Sequence, residues 1–156
     1  MTSHANPTCH TRDVLKVAAL ESEKGRIEVH RPRRGLLRST VTGHIDMPIL
    51  DVLTRTREQE TEAFGASIHY FHDWVGATGY DTEVRQAATR HMMAMPEPHT
   101  HAHIVTASRL LNMGVAAATL TLQIAGIPFH AYLTKAAFEA EFELRLRESV
   151  GASSRP

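Results

Sequence analysis

Apolar and polar residues alternate over residues 26–30 (RIEVH) and again from Leu36 to Gly43 (LLRSTVTG), the period of a strand with one buried face. Between them Arg31-Pro32-Arg33-Arg34-Gly35 supplies turn chemistry, so the pair predicts a hairpin. The period then lengthens. Asp46 can cap a helix whose first turn tolerates Pro48, and Ile49, Leu50, Leu53 and Phe64 form its apolar stripe. Arg55, Arg57, Glu58 and Glu62 mark the opposite face, and Gly65 closes the helix. Ala66 to Trp74 (ASIHYFHDW) reads as a buried strand and Val75 to Gly79 as a loop. Asp81 then caps a helix in which Val84, Ala87, Ala88, His91, Met92 and Met95 make the strongest helical stripe of the chain, ended by Pro96 and Pro98. Ala102 to Ala107 predicts a short strand, and Ser108 starts a helix through Ala125 with few polar positions, hence buried on more than one face. Phe129 to Leu133 predicts a last strand. Thr134 caps a final helix that stacks Phe138, Phe142 and Leu146.

The order β–β–α–β–α–β–α–β–α predicts an α/β fold: an open, mostly parallel sheet with right-handed crossovers and a leading antiparallel hairpin. Residues 26–148 make one domain, residues 1–25 an N-terminal extension and residues 149–156 a flexible tail. The length of 156 residues suits that single domain. Lys+Arg and Asp+Glu are both 17, so no net field draws the chain to nucleic acid or an anionic membrane. The local basic surplus at Arg31–Arg34 reads as a solvated hairpin tip. One cysteine, Cys9, allows no internal disulfide and fits a reducing cytoplasm. Met1 to Arg12 is polar and Lys16 breaks the apolar stretch from Val14 to Leu20, so no export signal is expected. No charged residue lies between Arg109 and Lys135, a length that could span a bilayer. Asn112, Gln123, Gly126, Pro128 and His130 argue instead for a helix and a strand buried in protein.

Eleven histidines are the compositional oddity. His99-Thr100-His101-Ala102-His103-Ile104-Val105 resembles the histidine-triad signature, in which the central histidine attacks the α-phosphate of a nucleotide. The same three residues, with His69, His72 or Asp73 from a neighbouring strand, could share a metal ion. Without a partner cysteine or a glutamate motif, the residues read as loop histidines entering a strand, and neither metal nor cofactor is expected. His91, on an apolar helical stripe, reads as a boundary residue, and Cys9 as a thiol without a base. There is no Gly-x-Gly-x-x-Gly, no Gly-Lys-Ser/Thr phosphate loop, no Gly-x-Ser-x-Gly and no His-Glu-x-x-His. Kinase and hydrolase readings therefore lack support.

An ordered set of residues resembles the STAS-like family, in its SpoIIAA-like bacterial branch. It comprises Thr42-Gly43-His44, Asp73-Trp74, Gly79-Tyr80-Asp81 with Arg85, and His103-Ile104-Val105. Ser108-Arg109-Leu110, Asn112 to Ala116 (NMGVA) and Ala131-Tyr132 with Phe138 complete it. The resemblance spans about residues 26–147 and implies a non-enzymatic, cytoplasmic regulatory domain that binds a partner protein or a small ligand, with a homo-oligomer allowed. Its working surface would be the strand-to-helix junction beyond the carboxyl end of a parallel strand: Asp73, Trp74, Tyr80, Asp81, Thr82 and Arg85. Relatives in this superfamily carry a phosphorylated serine at a helix start. Thr82 stands in that place, with Thr78 nearby, but Thr replaces Ser and Glu83 would repel a phosphate.

Overall fold

The computed structural model describes residues 14–96 and 100–152. Strands β1 (Leu15–Glu21), β2 (Gly25–Arg33) and β3 (Leu36–Ile45) lead into helix α1 (Met47–Phe64) and strand β4 (His69–Tyr80). Then come α2 (Thr82–Met93), β5 (His101–Thr106), α3 (Arg109–Ile124), β6 (Phe129–Tyr132) and α4 (Lys135–Ala152). All the strands join one sheet in the order β1-β2-β3-β4-β5-β6, antiparallel from β1 to β3 and parallel from β3 to β6. The parallel strands advance one place at a time. Right-handed crossovers therefore put α1, α2 and α3 on the same face, and α4 returns on the other.

The side-chain alternation of each strand serves these two layers. Ile27, Val29, Leu37, Val41 and Tyr70 face α1 and α2, where Ile49, Leu50, Leu53 and Val84 meet them. Leu36, Phe71 and Val105 face α4 and receive Phe138 and Phe142. The helix starts follow the chemistry expected of them. Asp46 accepts a hydrogen bond from the Ile49 amide, Ser108 from Leu111 and Thr134 from Ala137, and Gly65 closes α1 in the left-handed conformation.

The structure departs from the sequence pattern in several places. The sheet extends one strand further, because β1 lies within residues 1–25, the expected N-terminal extension, and α4 runs to Ala152, into the expected tail. Residues Val75–Gly79 are not a loop but the second half of β4. β3 is long enough to pair with them, and the glycines that suggested a turn allow the strands to close up. A β-carbon at Gly76 would stand 2.8 Å from the Thr42 methyl group. The arginines of the β2–β3 turn are not simply solvated: Arg31 pairs with Glu60, Arg33 donates to the Arg145 carbonyl and Arg34 to the Ala63 carbonyl. Finally, α3 is not buried on more than one face. Leu111 and Leu122 are its only fully buried residues, because a single helix layer covers this side of the sheet. Among the described residues no helix is long and apolar enough to cross a membrane.

Candidate functional site

Alternation along β4 divides the expected junction. Asp73 shares a face with Phe71 and points toward α4, whereas Trp74 shares one with Tyr70 and His72 and points toward α1–α3. Asp73 is 8% exposed and belongs to a four-member ion network. Arg38 donates to it at 2.9 Å, Lys135 also donates to it, and Glu139 accepts from Arg38 at 2.6 and 2.8 Å. Burial alone would raise the Asp73 carboxyl, but the bonds from Lys135 and Arg38 outweigh it and hold the group below the usual carboxylate range. Two cations and two anions close on themselves here and tie β3 and β4 to α4. The network has a structural task, which takes Asp73 out of the expected binding surface.

On the opposite face Trp74, Tyr80 and Arg85 do come together. They line a cavity of about 140 Å3 between the sheet and helices α1, α2 and α3. Leu53, Ile104 and Leu122 supply apolar wall, so the interior is built mainly from hydrocarbon. The indole Nε1 of Trp74 is buried with no hydrogen-bond partner among the described residues, an uncompensated donor in that wall. His72 stands beside it with Nδ1 3.0 Å from the Ser39 hydroxyl, and burial pushes its pKa down to about 3, so the ring is neutral. Burial also lowers Arg57, at the far side of the cavity, against a partly compensating pair with Glu58. Gly114 of α3 makes room for the Tyr80 phenol: a β-carbon there would fall 2.2 Å from its oxygen. Arg85, Thr89, Gly114 and Ala118 also border an outer groove between α2 and α3, so this cavity adjoins the surface at Arg85.

That His72, Arg57, Gly114 and Ala118 would meet at this cavity was not legible in the sequence. Their helices and strands are remote in the chain, and only crossover packing makes them neighbours. His91, read as a boundary residue, is exposed at the rim of the cavity.

Asp81 occupies the expected helix start, yet its side chain makes no capping bond. It accepts instead from His44 Nε2 at 2.8 Å and Lys24 Nζ at 2.9 Å, the first from the end of β3 and the second from the β1–β2 turn. Those donors hold its carboxyl below the usual range. The backbone carbonyl of Asp81 does the helix-start work, accepting from Val84 at 3.0 Å. Thr82 is exposed on the first turn, followed by Glu83, and Thr78 is exposed on β4.

The histidine motif is split by position. His99 lies outside the described residues, as does Cys9. His101 and His103 lie on β5, facing α4 with His69 of β4 and His130 of β6, on the other side of the sheet from the cavity. His103 Nε2 is 3.0 Å from His69 Nδ1, and its Nδ1 is 2.9 Å from the Tyr132 hydroxyl. A neutral ring satisfies both contacts, one nitrogen donating and the other accepting. Desolvation first, then the positive charge of neighbouring histidines and Arg145, pushes His103 down to about 2 and His69 down to about 4. Among the described residues no group of three or more His, Cys, Asp or Glu side chains is placed to hold a metal ion.

No protein-family model matches this chain. No curated protein matches it either.

Proposed function

We propose that this chain is a non-enzymatic, STAS-like binding domain that takes a small ligand at the strand-to-helix junction, with Trp74, Tyr80 and Arg85 as its contacts. The observation that carries the reading is the cavity these residues share. An apolar cavity of about 150 Å3 accepts a benzene-sized group. The 140 Å3 beneath α2 and α3 suits a phenyl ring or a short branched alkyl chain. Arg85, exposed where the cavity meets the α2–α3 groove, suits a carboxylate on such a molecule. The ligand class is thus a small aromatic or alkyl carboxylate, with the unpartnered Trp74 N–H available to an acceptor on it.

The alternative is a histidine-triad hydrolase or transferase acting through His99, His101 and His103. Binding is favoured over it because His103 is 2% exposed and both its ring nitrogens are already engaged. The STAS-like reading further rests on the ordered residues that carry the resemblance and on an element order compatible with it.

Trp74 is the sole tryptophan, so its emission reports the cavity directly. Titration with 3-phenylpropanoate is expected to shift that emission saturably. Arg85→Ala should weaken binding about three- to fivefold, the worth of one exposed ion pair. Ala118→Met, which fills the cavity from α3, should abolish it while the fold persists. If no carboxylate of this size perturbs Trp74, or the filled variant binds as wild type does, the proposal fails.

A further inference from the structure

Helix α3 has two apolar faces. Leu111, Val115, Ala118 and Leu122 look toward the sheet and its cavity. Leu110, Met113, Ala117, Leu120 and Ile124 form a second row at spacings of three, four, three and four residues, and all five are exposed. Their large members are 54%, 67%, 64% and 81% exposed in chain order, so nothing among the described residues covers them. Isolated exposed leucines are ordinary, but a continuous row of this kind on a monomer is not.

We propose that this row binds the same row of a second copy, the two α3 helices running antiparallel about a twofold axis at Ala117. Three observations select that occupant. First, a three-four repeat is the spacing at which side chains of one helix enter the gaps of another, whereas a flat surface requires no such period. Second, α3 carries no charged residue beyond Arg109, so the row brings no charge of its own to the contact, and Arg85 and Arg90, which share a groove with Ala117, lie at its edge, where water screens them. Third, the size fits. The 16 residues of α3 span about 24 Å. Fully covering the row in both copies buries at most about 1,200 Å2, the lower edge of the range of specific interfaces. Ala117 is small and lies at the centre, which lets the backbones approach most closely at the axis.

The test uses the full chain. Sedimentation velocity across the micromolar range is expected to give twice the monomer mass. Leu120→Lys should give the monomer mass with an unchanged circular dichroism spectrum, because the position is exposed in the single chain, and a melting temperature that no longer rises with protein concentration. In a Cys9→Ser background, Ala117→Cys should cross-link to itself under mild oxidation. Leu110→Cys should not cross-link alone but should do so when mixed with Ile124→Cys, as the antiparallel arrangement requires. A monomer at every concentration overturns the proposal, as does self-linking of Leu110→Cys. Monomers that use the same row to bind phosphatidylcholine–phosphatidylglycerol vesicles, binding that Leu120→Lys removes, would assign it to a lipid surface and equally overturn it.

Discussion

Replacing Asp73 by alanine is expected to destabilise the fold by about 3 kcal/mol, read as a fall in the urea midpoint at unchanged slope. The carboxylate is covered on the α4 side of the sheet and bonds both Arg38 and Lys135, with Glu139 as the second anion. Its loss leaves two cations facing one carboxylate. Lys135 can turn to water, since its side chain is partly exposed, but Arg38 is fixed between β3, β4 and the Phe142 ring, 4.9 Å from its guanidinium. Asp73→Asn should cost less, because the amide oxygen still accepts from Arg38. The exposed pair of Arg145 with Glu148 supplies the contrast, and Glu148→Ala should change stability by under about 1 kcal/mol. An Asp73→Ala midpoint within error of wild type would mean the network is not what fastens α4.

The second large effect is acid lability at unusually mild pH. His69, His72 and His103 are held at about 4, 3 and 2 in the folded chain, against 6.5 in an unfolded one. These folded values are depressed, so below about 6.5 the unfolded chain takes up protons that the native chain refuses, and stability falls as the pH falls. Each histidine forfeits about 1.4 kcal/mol per pH unit in that range, so the three together cost roughly 3–4 kcal/mol between about pH 7 and pH 5.5. That is a large fraction of the stability of an ordinary domain. Asp73 adds nothing in this interval, because its own carboxyl is depressed and protonates only at lower pH. Urea midpoints measured at the two pH values should differ by that amount, with a limiting slope of nearly three protons. Equal midpoints would show that the histidines protonate freely in the folded state.

Much of the fold was legible because its signals are local. The alternation of RIEVH and LLRSTVTG, the capping residues Asp46, Ser108 and Thr134, and the Phe138–Phe142 spacing act within a few residues of themselves, and each is found in its expected element. Val75–Gly79 misled for the complementary reason. Gly76 and Gly79 carry the local chemistry of a turn, but the neighbouring β3 strand makes use of their missing side chains for close pairing. β1 misled similarly, since Leu15 to Glu21 is an edge strand whose conformation is set by pairing with β2.

The candidate site divides along the same line. From the chain alone, Trp74, Tyr80 and Arg85 were recognisable as aromatic and basic residues crowded at one strand-to-helix junction. The strand period separates Asp73 from Trp74, but it could not say that Asp73 would enter an ion network with Arg38, Lys135 and Glu139. Nor could it say that Asp81 would spend its carboxyl on Lys24 and His44, residues 57 and 37 positions away. The cavity is wholly tertiary, its walls drawn from α1, β4, α2, β5 and α3 by right-handed crossovers. The sequence by itself determined which segments become helix and strand and in what order they alternate, because periodicity and capping are short-range. Which side chains become neighbours, which histidines stay neutral and which face of α3 is left uncovered were decided by the packing of helices on the sheet, because burial and electrostatics depend on distance in space.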